Sequence, residues 1–172
     1  IILSPIIFLI RIILGKEDSK RFLEKFCIYS KNFKNEKTIW LHGSSVGEIL
    51  SVIPIINTLE KNKKIKKILL TSSTTSSALI FSKYKFKKTS HVYFPIDTNY
   101  LTNKFIKYWK PKVALFIDSE IWPNMFDNLK TNNIPIILLN GRITKKSFKR
   151  WMRFPDFAKK NFSKISLAMP QN

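Results

Sequence analysis

Residues 38–48 read Thr38-Ile39-Trp40-Leu41-His42-Gly43-Ser44-Ser45-Val46-Gly47-Glu48. The apolar run through Leu41 has the character of a buried strand, and His42-Gly43 breaks it. Ser45-x-x-Glu48 is a helix-start signature: the serine accepts from an early backbone N–H, and the glutamate reaches back to the Ser45 N–H. Behind it Ile49, Ile53, Ile56 and Leu59 recur at helical spacing. Pro54 is expected to bend that helix or break its hydrogen-bond ladder.

The order strand, turn, helix then repeats. Ile65 to Thr71 reads as a second strand, followed by the hydroxyl tract Thr71–Ser77 and a helix through Ala78–Tyr84. His91–Phe94 is a third strand stopped by Pro95, with a helix over Tyr100–Trp109 after it. Val113–Ile117 is a fourth strand, Met125–Lys130 a helix, and Ile134–Leu139 a fifth strand. Strands buried on both faces read as continuous apolar runs, as these do, so the pattern predicts a parallel sheet with helices on both sides. With right-handed crossovers this is an α/β, doubly wound, Rossmann-like domain. There is no internal repeat beyond this alternation.

Composition narrows the function. The chain has 172 residues, 44% hydrophobic and 13% aromatic, which is one domain with a real core, or one domain plus an appendage, and not a disordered chain. A single cysteine, Cys27, excludes an intrachain disulfide framework and a cysteine zinc site. With His42 and His91 the only imidazoles, no metal site is expected. Neither a G-x-G-x-x-G nor a P-loop string occurs among the 4 glycines. The net charge of +20 favours a polyanionic partner. The lysines and arginines cluster at 61–67, 83–88 and 145–153, without an interleaved aromatic reading motif, so a membrane surface or a phosphorylated ligand is expected and nucleic acid is not.

Residues 1–14 are almost wholly apolar, with Arg11 near one end. As a helix they would span ~21 Å, short of the ~30 Å hydrocarbon core. They lack a basic leader region and a small-residue cleavage site, so a membrane-associated helix is expected rather than a cleaved signal; a buried packing helix is the other reading. Residues 16–29 read as amphipathic, with Phe22, Phe26 and Tyr29 at helical spacing, suited equally to a membrane surface or to core packing. The expected organisation is a membrane-associated helical segment over 1–30 and a Rossmann-like domain over 37–170.

In such sheets ligands bind outside the carboxyl ends of the strands, where the unusual residues of this chain gather. Asp97, Asp118, Glu120 and Glu48 all fall there, although the chain has only 11 acidic residues. Each candidate also has a purely structural use. Glu48 is a capping-box carboxylate or a general base at an attacking hydroxyl. Gly43 and Gly47 permit a close backbone approach that a plain cap does not require. Glu120 opens a helix, with Pro123 in its first turn, or serves as a second carboxylate. The Thr71–Ser77 hydroxyls cap a helix or hold an anion at its N-terminus. His42, just past a buried strand, is more often structural than catalytic. Arg142 suits a phosphate or a carboxylate.

Together, His42-Gly43-Ser44-Ser45-Val46-Gly47-Glu48, Tyr93-Phe94-Pro95-Ile96-Asp97, Ser119-Glu120-Ile121-Trp122-Pro123-Asn124 and Asn140-Gly141-Arg142-Ile143-Thr144 resemble the N-terminal half of a 3-deoxy-D-manno-octulosonic acid (Kdo) transferase. The resemblance covers almost the whole chain. Two departures from the family pattern are small: Gly43-Ser44 stands where two small residues such as Ala-Ala are more usual, and Ser77 where a glycine often ends the Thr-rich tract. The resemblance implies the N-terminal domain of a GT-B glycosyltransferase of lipopolysaccharide inner-core synthesis. It implies Kdo transfer from CMP-Kdo to a lipid A precursor (lipid IVA) by inverting, metal-independent displacement. It further implies Glu48 and Glu120 as catalytic residues, with Ser44, Ser45, Gly47, Thr74, Asn124 and Arg142 binding the acceptor. No cofactor is expected beyond the co-substrate CMP-Kdo, which belongs on a C-terminal donor-binding domain absent from this chain. The expected location is the cytoplasmic face of a bacterial inner membrane. The alternative is a catalytically silent, membrane-associated domain that binds anionic lipid or a protein partner.

Overall fold

A computed structural model describes residues 17–29, 37–118 and 120–171. Six parallel strands form one sheet: β1 (Thr38–His42), β2 (Ile68–Ser72), β3 (Thr89–Tyr93), β4 (Pro111–Ile117), β5 (Ile136–Gly141) and β6 (Leu167–Pro170). They lie in the order β3-β2-β1-β4-β5-β6, the doubly wound arrangement. The helices are α1 (Val46–Lys61), α2 (Thr75–Ser82), α3 (Asn99–Trp109), α4 (Pro123–Thr131), α5 (Lys145–Trp151) and α6 (Pro155–Phe162).

Successive residues of a strand point to opposite faces, and both faces here are covered. Trp40 and Leu69 enter a cluster with Phe105 and Trp109 of α3 and Phe126 and Leu129 of α4. Their neighbours Leu41 and Leu70 enter the opposite cluster with Ile49, Ile53 and Ile56 of α1 and Phe81 of α2. The continuous apolar runs of the sequence are the direct consequence. Pro54 does not end α1, which runs unbroken from Val46 to Lys61.

The predicted amphipathic helix over 16–29 is replaced by a single 3-10 turn, Phe22–Phe26, ended by Cys27 in the left-handed region at φ 55°. Its charges face the protein instead of water or lipid. Glu24 accepts from the Tyr93 N–H on edge strand β3 at 3.0 Å and from both Nε and Nη2 of Arg21. Arg21 in turn donates to the His91 carbonyl at 2.9 Å. Lys25 and Glu17 form a buried pair at 2.6 Å. Residues 17–27 thus cap the exposed edge of β3, which would otherwise offer unpaired backbone groups. The apolar segment 1–14 lies outside the described residues. Among the described residues no helix is long and apolar enough to cross a membrane.

Beyond the fifth strand the structure adds α5, α6 and a sixth strand, β6, which the sequence pattern does not predict. No residue of α5 is buried, and β6 is an exposed edge strand, so neither carries the apolar periodicity by which the other elements are read.

Candidate active site at the strand-order reversal

The strand order reverses between β1 and β4, and the crevice outside the carboxyl ends of these two strands is where such sheets take ligands. His42 ends β1; Asp118, with φ 58°, follows β4 and turns the chain toward Glu120. Aspartate tolerates this left-handed conformation better than most residues.

Ser45 caps α1, accepting from the Glu48 N–H at 3.3 Å. The Glu48 carboxylate is held by both oxygens: the Ser45 hydroxyl donates to Oε1 at 2.6 Å and the Ser44 N–H donates to Oε2 at 2.8 Å. The expected return bond to the Ser45 N–H is therefore shifted one residue upstream. The tight approach of the loop to α1 goes with this shift. A Cβ added to Gly43 would meet Glu48 Cβ at 3.0 Å. Gly47 has no such constraint, since a Cβ there would meet nothing within 4 Å.

Ser44 is the junction of the site. Its hydroxyl lies 2.9 Å from that of Ser73 and 3.5 Å from His42 Nε2, and its carbonyl accepts from the Ser77 hydroxyl at 3.0 Å. Ser44 and Ser77 are thus in contact. Thr74 caps α2, accepting from the Ser77 N–H at 3.2 Å. The hydroxyl tract accordingly anchors the Ser44 loop as well as starting a helix.

On the other side of Ser44, Glu120 is partly buried, with Trp122 Nε1 donating to its Oε2 at 2.8 Å and His42 Nε2 at 3.7 Å from the same oxygen. Burial alone would raise the pKa of this carboxyl, but His42, Ser44 and Trp122 outweigh it and hold the group below its ordinary value. His42 itself is fully buried beneath Phe94, whose ring centroid is 4.0 Å away. The sequence favours a structural His42 and offers Thr71 only as part of the hydroxyl tract, and it does not pair the two. They are register partners on adjacent strands, a relation that neither local sequence displays.

Asn124 and Asp97 are joined to each other. Asp97 accepts from the Met125 N–H at 2.8 Å and the Asn124 N–H at 3.2 Å, capping α4, while the Asn124 amide donates to the Asp97 carbonyl at 2.8 Å. Arg142 follows β5 and borders a cavity of about 670 Å³ with Ile121, Leu138, Trp151 and Phe162, on the β5 side of the crevice.

Residues 20–172 match the family described as 3-deoxy-D-manno-octulosonic-acid transferase (kdotransferase). The chain is 36% identical over 170 residues to a 3-deoxy-D-manno-octulosonic acid transferase of Rickettsia bellii, a match that covers 95% of this chain and 40% of the relative. It is 25% identical to the enzyme of the same name from Haemophilus influenzae, over 89% of this chain and 36% of that one. The chain spans less than half the length of these curated relatives. Among solved structures, the Staphylococcus aureus MnaA–UDP co-structure aligns with a TM-score of 0.57 at 14% identity, over 78% of this chain and 39% of that chain. This likeness bears on fold alone and agrees with a parallel, GT-B-like α/β domain.

Proposed function

This chain belongs to the 3-deoxy-D-manno-octulosonic acid (Kdo) transferase family, and on that premise we propose that it is the acceptor-binding half of a glycosyltransferase that moves Kdo from CMP-Kdo onto a lipid A precursor. The observation that carries the proposal is Glu48: a partly exposed carboxylate with both oxygens oriented, at the strand-order reversal, one residue away from a second carboxylate site through Ser44. A sugar hydroxyl is a weak nucleophile until its proton is taken as the new bond forms. In the proposed step the acceptor hydroxyl gives its proton to Glu48. Its oxygen bonds the anomeric carbon of Kdo, and CMP departs with the electron pair of the broken bond. Two bonds to Glu48 leave lone pairs free for this, because a carboxylate offers about four acceptor sites.

Ser44, Ser45, Gly47, Thr74, Asn124 and Arg142 are proposed to contact the acceptor. Gly47 leaves open space beside Glu48, and the proposed role of Arg142, which borders the cavity beside β5, is to bind an acceptor phosphate bidentately. A location at the cytoplasmic face of a bacterial inner membrane fits the α5–α6 surface. There Phe148, Met152 and Phe154 are exposed among Lys145, Lys146, Lys149, Arg150 and Arg153, the mixture by which a protein rests on anionic lipid.

In the complete polypeptide, Glu48→Gln is expected to leave folding and acceptor binding unchanged and to lower Kdo transfer ~100- to 10,000-fold, the range of a lost general base. Near-native transfer by this variant would reduce Glu48 to a helix cap.

A further inference from the structure

Behind Glu120 lies a buried chain of hydrogen bonds that joins Trp40, Thr71 and His42. Trp40 Nε1 can only donate, and it donates to the Thr71 hydroxyl at 2.9 Å. That leaves the Thr71 proton to be placed. His42 Nδ1 is 2.9 Å away, whereas the other acceptor in reach, the Leu41 carbonyl, is at 3.5 Å. Placing the Thr71 proton on the shorter contact makes Nδ1 the acceptor and puts the imidazole proton on Nε2; the other arrangement, Nδ1–H donating to Thr71 and Thr71 to the Leu41 carbonyl, is the one the test below must distinguish. Nε2 faces two oxygens, Ser44 Oγ at 3.5 Å and Glu120 Oε2 at 3.7 Å; a proton on Nε2 meets both with a donor, whereas the opposite tautomer accepts from Ser44 and turns a lone pair toward the carboxylate. Trp40, His42 and Thr71 are all fully buried, so water does not compete for these bonds.

We propose that His42 is a positioning residue, set by the Trp40–Thr71 pair, whose Nε2–H together with Trp122 Nε1–H fixes Glu120 Oε2, so that Glu120 acts as an oriented anion and Glu48 alone receives the proton. This rests on the transferase reading above. The 3.7 Å separation is longer than a hydrogen bond, and catalytic contacts of this kind commonly tighten when ligand binds. The titratable group set against Glu120 is His42 from β1, and the nearest carboxylate bridged to it through Ser44 is Glu48 of α1.

The test compares His42→Gln and His42→Asn in the complete polypeptide, because a glutamine amide reaches the Nε2 position and an asparagine amide reaches only Nδ1. His42→Asn is expected to lower kcat on the order of 100-fold with the acceptor KM within about threefold. It is also expected to move the acid limb of the kcat–pH profile toward neutrality, because Glu120 loses a donor that favours its charge. His42→Gln is expected to recover most of both effects. Glu48→Gln, measured alongside, separates the two claims. If it retains transfer, the transferase reading fails; if it is inactive while His42→Asn keeps a native kcat and acid limb, the role of His42 fails. Nitrogen-15 NMR of the imidazoles in the unsubstituted chain gives a readout independent of activity and of variant folding. A proton on Nε2 at neutral pH supports the inference, and a proton on Nδ1 overturns it.

Discussion

Lowering the pH is expected to weaken the fold through His91, by an amount the structure allows to be worked out. Arg21 Nη2 lies 3.2 Å from His91 Nδ1, and because a guanidinium only donates, Nδ1 must accept. Nε2 then carries the proton, 2.9 Å from the Ser72 hydroxyl. Protonating the ring would place a new N–H against the Arg21 guanidinium. Burial first, and the Arg21 charge second, accordingly push the His91 pKa down from 6.5 to about 3. The sign follows from proton binding. Between these two values the unfolded chain binds a proton that the folded chain does not, so the stability due to neutral His91 is complete above the ordinary pKa and is lost as pH falls. At about 1.4 kcal/mol per pH unit, moving from pH 7.5 to pH 5 costs about 2 kcal/mol from this group. Urea denaturation at both pH values, on the wild type and on His91→Gln, measures it: the wild type is expected to lose about 2 kcal/mol more than the variant across the interval. Equal losses would refute the assignment of His91 as a partly buried neutral base and, with it, the Arg21–Nδ1 contact.

Three further outcomes are expected. Asp97→Ala removes the side chain that caps α4 from outside the helix and should cost about 1–2 kcal/mol by urea denaturation, with Asp97→Asn recovering part of it. Glu60, at the end of α1, accepts from the Lys88 N–H and the Thr89 hydroxyl, at 2.8 and 2.7 Å; Glu60→Gln should destabilise by about 1 kcal/mol, the order of a net hydrogen bond, because this partly exposed site is screened by water. Replacing Phe148, Met152 and Phe154 together by serine should lower binding to anionic vesicles at least about tenfold without changing the thermal midpoint, since all three side chains are exposed; unchanged vesicle binding would remove the α5–α6 surface from the proposed membrane contact.

The first five strands and their four crossovers were legible because β1, β2, β4 and β5 carry continuous apolar runs and each following helix has an identifiable start. Ser45, Thr74 and Thr98 all cap helices where the sequence supplies a hydroxyl. The N-terminal strap was misread for a definite reason. Its arginine, lysine and glutamates sit between aromatics, as on a solvated helix, but their partners are an edge strand and a histidine about 70 residues away, and local spacing holds no trace of such partners. Strand register hid the support of the site in the same way: His42 opposite Thr71 is a property of β1 paired with β2, not of either segment alone.

The same distinction bears on what makes Glu48 more than a cap. A capping-box glutamate spends its carboxylate on the N-cap N–H and lies along the helix start. Here that bond goes to Ser44, outside the cap, because Gly43 brings the chain so close to α1 that a side chain there would press on Glu48 Cβ at 3.0 Å. Ser44 is fixed in turn by Ser73 and Ser77, so the hydroxyl tract after β2 orients a carboxylate that follows β1. Loosening that anchorage should therefore affect turnover before stability. Ser77→Ala removes one donor to the Ser44 carbonyl and leaves the Thr74 cap in place, because the Ser77 backbone N–H still donates to Thr74. A loss of about 1 kcal/mol is expected from the missing bond. In the proposed transferase the accompanying fall in kcat should exceed the roughly fivefold that this energy alone would allow, because a small misplacement of a catalytic group is amplified in the rate. A variant that loses the stability and keeps its full kcat would show that the orientation of Glu48 does not depend on the tract.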